Sequence, residues 1–375
     1  MTLSDEERAR YSRHLLLGEV GTAGQTKLKA ARVLVVGAGG LGAPAALYLA
    51  AAGVGTVGLI DGDRVDVSNL QRQVLFDTGD VGSAKAERGA ARLRALNPLI
   101  TVVAHEEELR AANAAAILAG YDLLIDGSDR LGTRYLVNDA CVLLAKPLVS
   151  AAIHRFEGQA MTYVPREGPC YRCLFSDASD GVVPNCAEAG VLGVLPGVMG
   201  ALQATEAIKL ITGIGIPLVG RLLTYDALTL RFGEFRFQRR EDCAVCGTRP
   251  TITTLRDRPA PQPAPLPAGV RSLTAQALRA LLADGATAPT LVDVRDAHEY
   301  DSGHLPHSLH IPLVELPARI EALRGLGPVT FLCLSGVRSR QACEIAAAAG
   351  LTSLTHLEGG LRAWQALPAT LHYSS

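Results

Sequence analysis

A large excess of charge of either sign is missing from this 375-residue sequence. Its 36 lysines and arginines nearly balance its 37 aspartates and glutamates, which gives a net charge of −1 at pH 7. Proteins that bind the phosphate backbone of nucleic acids or an anionic membrane surface need an excess of positive charge. The composition therefore predicts no nucleic-acid partner and no electrostatic attachment to a membrane.

Uninterrupted apolar runs are also missing. Residues 33–60 carry no charged side chain and are long enough to span a bilayer, but seven glycines and Pro44 interrupt them. Glycines and Pro196 break residues 189–205 in the same way. The first eight residues lack the basic-then-apolar order of a secretory signal peptide. We therefore expect a soluble, cytoplasmic protein without a membrane segment.

The length and the order of the sequence patterns predict two domains. Up to residue 247, apolar runs at 32–36, 56–60, 101–104, 123–126 and 147–150 alternate with helical patterns, as in a parallel α/β sheet. Runs at 159–164, 221–225 and 231–237 alternate polar and apolar residues and predict an antiparallel extension. We expect an α/β domain over 1–247, a proline-rich linker over 248–269 and a smaller α/β domain over 270–375.

A glycine-rich loop predicts a nucleotide site in the first domain. The β-branched run 33–36 ends in GAGGLG, a helical pattern follows, and an acid closes the next apolar run. In such loops glycine lets the backbone approach phosphate, the helix N-terminus offers N–H groups, and the acid reaches a ribose hydroxyl. This motif alone does not separate a dinucleotide from ATP. Its candidate residues are Gly37, Gly39, Gly40, Gly42, Asp61 and Asp63.

Polar side chains after this loop favour ATP. Asn69, Arg72 and Lys85 could reach phosphates, for which a dehydrogenase has no evident use. Asp129 follows the apolar run 123–126, and ligands of open α/β sheets bind beyond the carboxyl ends of the strands. A carboxylate there can hold Mg²⁺ between phosphates. Asp126 is a competing candidate for that ion, or a helix cap.

Four of the eight cysteines form two C-x-x-C pairs, Cys170 with Cys173 and Cys243 with Cys246. Two thiolates at this spacing bind one face of a tetrahedral Zn²⁺, and two pairs complete a four-cysteine site. Each pair alone could be a redox dithiol. Two pairs in one domain, beside turn-forming residues, favour a structural zinc.

The remaining cysteines differ in their surroundings. Cys333 begins a C-x-x-G-x-R loop between a strand and a helical pattern, where backbone N–H groups and Arg338 would favour a thiolate and cradle a persulfide. The same loop also fits a phosphatase-like anion site. Cys186 lies in a polar, glycine-bearing segment and is either a reactive or an incidentally packed thiol. Cys141 and Cys343 lie in apolar helical runs and are predicted to be core thiols.

Together these motifs resemble two known families. The first domain is similar to E1-like adenylyltransferases that activate ubiquitin-like sulfur carriers, in particular molybdopterin-synthase adenylyltransferases. The segments that carry the resemblance are 10–13, 37–42, 61–63, 68–73, 85, 128–129, 169–173 and 185–190. The region after the linker resembles a rhodanese domain, on segments 293–295, 299–300, 303–306 and 333–338. The fold expected is a Rossmann-like E1 domain with a mixed sheet extension and a zinc site, followed by an α/β rhodanese domain.

The resemblance implies an activity in two steps. ATP and Mg²⁺ would bind the first domain, and the C-terminal Gly-Gly carboxylate of a sulfur-carrier protein would attack the α-phosphate. Asn69, Arg72 and Lys85 would hold the phosphates, Asp129 would position Mg²⁺, and Arg13 would reach the nucleotide of a partner subunit in a homodimer. Cys333 would then deliver sulfur from a persulfide that a donor such as a cysteine desulfurase had loaded.

Several alternatives stay open. Some relatives use the position of Cys186 for a covalent intermediate, so a ubiquitin-type activator that forms a carrier thioester there is one rival. An NAD-dependent oxidoreductase and a non-catalytic zinc scaffold are others. Arg130 stands where relatives usually carry Asn, and Leu334 where thiosulfate-using rhodaneses are often basic. Molybdopterin, thiamine, thiolated tRNA and cysteine synthesis all use similar carriers.

Overall fold

The computed structural model of the chain describes residues 2–176, 190–258, 266–284 and 288–367. The chain divides into two compact units, residues 1–262 and residues 263–375. The division falls inside the segment predicted as the linker. No helix in the described ranges is long and apolar enough to cross a membrane.

The first unit contains an eight-stranded sheet in the order β3-β2-β1-β4-β5-β6-β7-β8. The first five strands run parallel, and the last three pairings are antiparallel, so the predicted antiparallel extension is confirmed. The strands are β1 Arg32–Val36, β2 Thr56–Ile60, β3 Thr101–His105, β4 Leu123–Asp126, β5 Leu148–His154, β6 Glu157–Tyr163, β7 Arg221–Asp226 and β8 Arg231–Arg236.

Helices cover both faces of the parallel part. Two apolar clusters form, one around Val35 and Leu49 and one around Leu34 and Val137, because successive residues of a central strand face opposite sides. The helices are α1 Asp5–Arg10, α2 Ser12–Leu15, α3 Gly21–Ala30, α4 Gly42–Ala52, α5 Lys85–Leu96, α6 Ala111–Leu118, α7 Leu131–Leu143, α8 Tyr171–Leu174 and α9 Leu195–Thr212.

The fifth strand is longer than the sequence pattern predicts. The pattern ends it at Ser150, but β5 continues to His154 because it pairs with β6 over its full length as a hairpin. Arg155, at φ +53, turns the chain between the two strands. The hairpin carries the sheet from its parallel half to its antiparallel half.

The second unit contains a five-stranded parallel sheet in the order β11-β10-β12-β13-β9. Its strands are β9 Val270–Leu273, β10 Thr290–Asp293, β11 Leu309–His310, β12 Val329–Leu332 and β13 Leu354–Leu357. Its helices are α10 Ala275–Asp284, α11 Ala297–Asp301, α12 Leu316–Arg319, α13 Val337–Ala348 and α14 Gly360–Gln365. The predicted α/β pattern of this region is therefore confirmed.

Candidate functional site

The glycine loop joins β1 to α4, and two of its glycines are required by sterics. Gly37 has φ +88, a region that side chains disfavour, and a Cβ there would lie 3.0 Å from the carbonyl oxygen of Gly127. A Cβ on Gly42 would overlap the carbonyl oxygen of Gly37. Gly39 and Gly40 have more room, with 3.6 and 3.2 Å to the nearest atom a Cβ would meet. Gly37 and Gly42 are therefore required for the turn, whereas Gly39 and Gly40 keep the backbone of the loop accessible.

Asp61 stands at the end of β2 and is tied to this loop. Its Oδ2 accepts the Ala38 N–H at 2.8 Å, and its Oδ1 accepts the Asp63 N–H at 2.8 Å. Burial raises the pKa of Asp61, although Lys85 and these two N–H groups oppose the shift. The carboxylate that the sequence assigned to a ribose thus also orders the loop.

Lys85 begins α5 and is brought to the same region. Only 5% of the residue is exposed, and its Nζ lies 3.1 Å from Oδ2 of Asp63. Arg72 donates from Nη1 to the Ser68 carbonyl at 3.0 Å, and its Cγ would lie 3.6 Å from a Cβ on Gly40. Asn69 lies in the same turn, where its side-chain oxygen accepts the Asp66 N–H at 3.3 Å. Arg72 therefore lies against the loop, Lys85 lies beside the acids that follow β2, and Asn69 lies in the turn that carries Arg72.

Asp126 and Asp129 have different environments. Asp126 is 1% exposed, and it accepts hydrogen bonds from the Ser128 N–H and hydroxyl and from the Ser150 hydroxyl. These bonds occupy both carboxylate oxygens in building the loop after β4. Asp129 is exposed beyond them. Of the two candidates for Mg²⁺, the structure leaves Asp129 accessible and uses Asp126 as a structural acceptor.

Arg130 pairs with an acid that the sequence analysis did not single out. Its Nη1 lies 2.8 Å from Oε1 of Glu108, and its Nη2 lies 3.9 Å from Oδ1 of Asp63. The hydrogen bond to Glu108 is the main reason that the pKa of Arg130 is raised. Nothing in the spacing of residues 108 and 130 could have predicted this contact, because β3 and β4 lie three positions apart in the sheet.

Arg13 is not brought to the glycine loop. Its helix α2 begins where α4 and α5 end. Tyr11, the residue before α2, packs against Gly53 after α4, and its hydroxyl accepts a hydrogen bond from Asn97 after α5 at 2.8 Å. The loop lies at the opposite end of α4, which is about 16 Å long. Arg13 itself is exposed.

The four C-x-x-C cysteines form one buried cluster. Their sulfur atoms lie within 4.8 Å of one another, with contacts of 4.0 Å from Cys170 to Cys173, 3.7 Å from Cys170 to Cys243 and 3.3 Å from Cys173 to Cys246. A tetrahedral zinc with Zn–S bonds of about 2.3 Å separates its sulfurs by about 3.8 Å. The donor set and its spacing therefore fit zinc.

In the second unit, Cys333 lies between β12 and α13 and is 1% exposed. Its Sγ accepts the Gly336 N–H at 3.1 Å and lies 3.5 Å from the Ser339 hydroxyl. Gly336 has φ +95, a conformation that glycine adopts without strain, and this lets the chain turn from the loop into α13. The Gly336 N–H is thus a donor to the sulfur, whereas the Ser339 hydroxyl donates to the Gly336 carbonyl.

Arg338 is held by a residue whose role the sequence analysis missed. Glu299 on α11 binds both Nη atoms of Arg338, at 2.6 and 2.7 Å. Burial alone would raise the pKa of Glu299, but the bonds from Arg338 and the Asp296 N–H lower it on balance. The rhodanese-like motif contains Glu299, yet only the tertiary structure shows what it contacts.

The chain has three further cysteines, Cys141, Cys186 and Cys343. Cys141 and Cys343 are fully buried, and burial raises the pKa of both thiols, that of Cys343 to about 12. These two are core thiols, in agreement with the sequence. Cys186 lies outside the described residues.

Family models match both units. The model of the ThiF family matches residues 11–245, and that of the rhodanese-like domain matches residues 274–367. Among solved structures, that of MccB from E. coli with ATP has a TM-score of 0.56 and 26% sequence identity, covering 65% of this chain and 75% of that chain.

Curated relatives match nearly the whole chain. The adenylyltransferase and sulfurtransferase MOCS3 of Mus musculus is 44% identical, covering 97% of this chain and 86% of that protein. The probable adenylyltransferase/sulfurtransferase MoeZ of Mycobacterium tuberculosis H37Rv is 45% identical, over 96% of this chain and 94% of its own length. The sulfur carrier protein adenylyltransferase of Thermus thermophilus is 54% identical over 68% of this chain and 97% of its own length.

Proposed function

The chain belongs to the ThiF family, carries a rhodanese-like domain after it and is an adenylyltransferase and sulfurtransferase, and from this premise we propose how its own residues perform the two steps. The acceptor is the C-terminal glycine carboxylate of a ubiquitin-like sulfur carrier. ATP adenylates that carboxylate in the first unit, and Cys333 supplies the sulfur from the second.

Adenylation gives a carboxylate the leaving group it lacks. The carrier carboxylate attacks the α-phosphate of ATP, pyrophosphate leaves, and an acyl-adenylate forms. Lys85 and Arg72 stabilise the charge that develops on the phosphates, with Asn69 and the glycine loop fixing their position. Asp61 binds the ribose and keeps the loop in place. The support for these roles is that Arg72 lies against Gly40 of the loop, and that Lys85 acts electrostatically on Asp61, which binds the loop.

We assign the two metals to different tasks. Asp129 would hold Mg²⁺, since it is the accessible carboxylate after β4, and the ion would neutralise phosphate charge. Zinc at Cys170, Cys173, Cys243 and Cys246 ties two distant segments of the first unit together. Elemental analysis of the purified protein should give about one zinc per chain, and none after substitution of Cys170 by serine.

Sulfur transfer uses the acyl-adenylate at once. The terminal sulfur of a Cys333 persulfide attacks the acyl carbon, AMP leaves, and an acyl disulfide joins the carrier to Cys333. A small-molecule thiol then attacks Sγ of Cys333, forms a mixed disulfide with it and releases the carrier thiocarboxylate. A second equivalent of that thiol frees Cys333 and leaves as the oxidised disulfide. The observation that carries this assignment is the Gly336 N–H at 3.1 Å from Sγ of Cys333, in a loop with Arg338. A cysteine desulfurase is the proposed source of the persulfide sulfur.

We also propose that the protein acts as a homodimer in the cytoplasm. Arg13 lies at the far end of α4 from its own glycine loop, so it can serve a nucleotide only in a second copy. Leu16 and Leu17, which follow α2, and Tyr48 on α4 are exposed. Tyr48 also lines a hollow of about 280 Å³ together with His14 and Ile208. An apolar surface of this kind is typical of an interface.

One experiment tests the function as a whole. The protein is incubated with ATP, a sulfur source and each Gly-Gly-ended carrier of its own cell, and the carrier is weighed by intact-mass spectrometry. We expect a thiocarboxylate on one carrier, and ATP–pyrophosphate exchange that depends on it. A carrier thioester that survives Cys333→Ala but not Cys186→Ala would favour the ubiquitin-type alternative. Protection from thermal unfolding by NADH rather than ATP would favour an oxidoreductase.

A further inference from the structure

The chain that leaves the first unit stays attached to it beyond the four-cysteine cluster. The N–H groups of Thr251 and Ile252 donate to the Ala244 carbonyl at 2.9 and 2.8 Å. Ile252 and Leu255 pack against the apolar cluster that contains the four cysteines. Residues 248–258, which fall within the predicted linker, therefore lie on the surface of this unit.

Two charged side chains end this attached segment. Oδ1 of Asp257 accepts the N–H of Ala111, the first residue of α6, at 2.8 Å. A carboxylate at this position satisfies an N–H that has no partner within the helix. The guanidinium carbon of Arg258 lies 4.6 Å from the centre of the Tyr135 ring, and its Nη1 is buried. We call Asp257 and Arg258 the clamp.

The clamp lies next to the nucleotide site. A Cβ on Gly132 would contact Cβ of Arg258 at 3.7 Å, so Arg258 crosses the first turn of α7. That helix begins two residues after Asp129, the candidate Mg²⁺ ligand. Tyr135, the partner of Arg258, is 1% exposed and donates from its hydroxyl to the Phe175 carbonyl. The clamp is therefore built on a buried, hydrogen-bonded part of the unit.

We propose that the clamp fixes the point from which the sulfurtransferase unit is tethered, at the edge of the adenylation site. Only residues 259–265 join Arg258 to Leu266, which packs in the second unit's core. At 3.6 Å per residue this chain spans at most about 30 Å, whatever its path. A tether that started at Gly247 would span about 70 Å.

The shorter tether keeps Cys333 concentrated around the acyl-adenylate, which deepens the proposed function and rests on it. Effective concentration falls roughly as the −3/2 power of tether length. Freeing the chain back to the cysteine cluster would therefore slow transfer about fourfold, and freeing it to Leu255 about twofold. Asp257 and Arg258 act as positioning residues, since neither contacts the reacting atoms.

The test compares Asp257→Ala/Arg258→Ala with Arg256→Ala, which removes an exposed arginine immediately before the clamp. Hydrogen exchange of the full-length protein measures release of residues 248–258. Single-turnover transfer uses protein loaded with polysulfide and the carrier that supports pyrophosphate exchange in the wild type. In the double variant we expect faster hydrogen exchange at the amides of residues 248–258, sulfur transfer slowed about two- to fourfold, and unchanged ATP–pyrophosphate exchange. The control should behave like the wild type in all three measurements. A ten-residue Gly-Ser insertion between Arg258 and Leu266 should slow transfer similarly with the clamp intact.

Each other outcome has a distinct meaning. Unchanged hydrogen exchange in the double variant would show that Asp257 and Arg258 do not hold residues 248–258 on the first unit. Faster hydrogen exchange with unchanged sulfur transfer would show that holding this segment does not affect sulfur delivery. A parallel loss of pyrophosphate exchange would place the effect at the nucleotide site and overturn the tether account. Absence of ATP–pyrophosphate exchange in the wild type would instead contradict the proposed function.

Discussion

Each unit has one strand–loop–helix junction at its proposed site, and the two junctions obtain their hydrogen-bond acceptor differently. After β1, Gly37 at φ +88 turns the chain toward α4; after β12, Gly336 at φ +95 turns it into α13. The Ala38 N–H is bound by Asp61 from the neighbouring strand at 2.8 Å. The Gly336 N–H is bound by Cys333, three residues earlier in the same loop.

This difference matches the chemistry we propose for each site. A nucleotide that comes and goes needs groups from several elements, here Lys85 on α5, Arg72 after a short turn and Asp129 after β4. The Sγ of Cys333 is part of the chain, so its own loop supplies the N–H of Gly336, and Glu299 from α11 holds Arg338. The first junction therefore depends on tertiary structure more than the second does, and substitutions should distinguish the two.

The largest effect is expected for Cys333→Ala. Sulfur transfer should fall more than about a thousandfold, because the attacking sulfur has no substitute, while ATP–pyrophosphate exchange stays within about twofold. Thiocarboxylate formation and exchange are measured on the same preparation. Cys343→Ala, which removes a core thiol from the next helix, is the matched control and should keep transfer. Transfer that persists without Cys333 would show that another group donates the sulfur.

Lys85→Ala should reverse this pattern. Pyrophosphate exchange should fall about 10²- to 10³-fold, because the variant lacks the positive charge that stabilises the negative charge developing on the phosphates. Transfer of sulfur from persulfidated Cys333 to a small thiol should be unaffected, because that reaction needs no adenylate. Arg92→Ala, an exposed cation on the same helix, is the control. Equal losses in both variants would contradict the role of Lys85.

Gly42→Ala should damage the first junction by sterics alone. Its Cβ would overlap the Gly37 carbonyl, so we expect a loss of about 2–4 kcal/mol in unfolding free energy without nucleotide. Gly39→Ala, whose Cβ would meet its nearest atom at 3.6 Å, should cost less than about 1 kcal/mol. Denaturant titration of both variants measures the difference. Equal stability would mean that the loop can rearrange.

The smallest effect concerns the second junction and its pH dependence. The pKa of Glu299 is lowered, so its pair with Arg338 stabilises the unit above the normal glutamate pKa of about 4.5 and is lost as pH falls further. Because the pair is partly exposed, we expect less than about 1 kcal/mol. Melting curves from pH 6 to pH 3 should show a steeper acid loss in wild type than in Glu299→Gln. Identical slopes would show that the pair contributes nothing.

Local motifs account for much of what the sequence could predict. The two C-x-x-C pairs, the glycine loop and the Cys333 loop each lie within a few residues, so their chemistry follows from spacing. Predicted strand positions also agree closely with the sheet, because buried parallel strands require continuous apolar runs. The misjudged strand end at Ser150 lies where a hairpin partner, rather than the strand itself, sets the length.

Contacts between distant residues could not be predicted in this way. Glu108 with Arg130, Glu299 with Arg338 and Arg258 with Tyr135 join parts of the chain whose separation carries no signal. Charged residues at such positions are usually solvated, so the sequence alone gives no reason to pair them.

By itself the sequence determined the two α/β units and the four-cysteine set, and it predicted the nucleotide loop and the sulfur-bearing cysteine, because each depends on residue types at short, regular spacing. Only the tertiary structure decided that hydrogen bonds within the fold occupy the carboxylate of Asp126, while Asp129 stays accessible. It also separated Arg13 from its own glycine loop and attached residues 248–258 to the surface of the first unit. The physical reason is common to all three: hydrogen bonds and packing between distant segments depend on where the folded backbone brings them together.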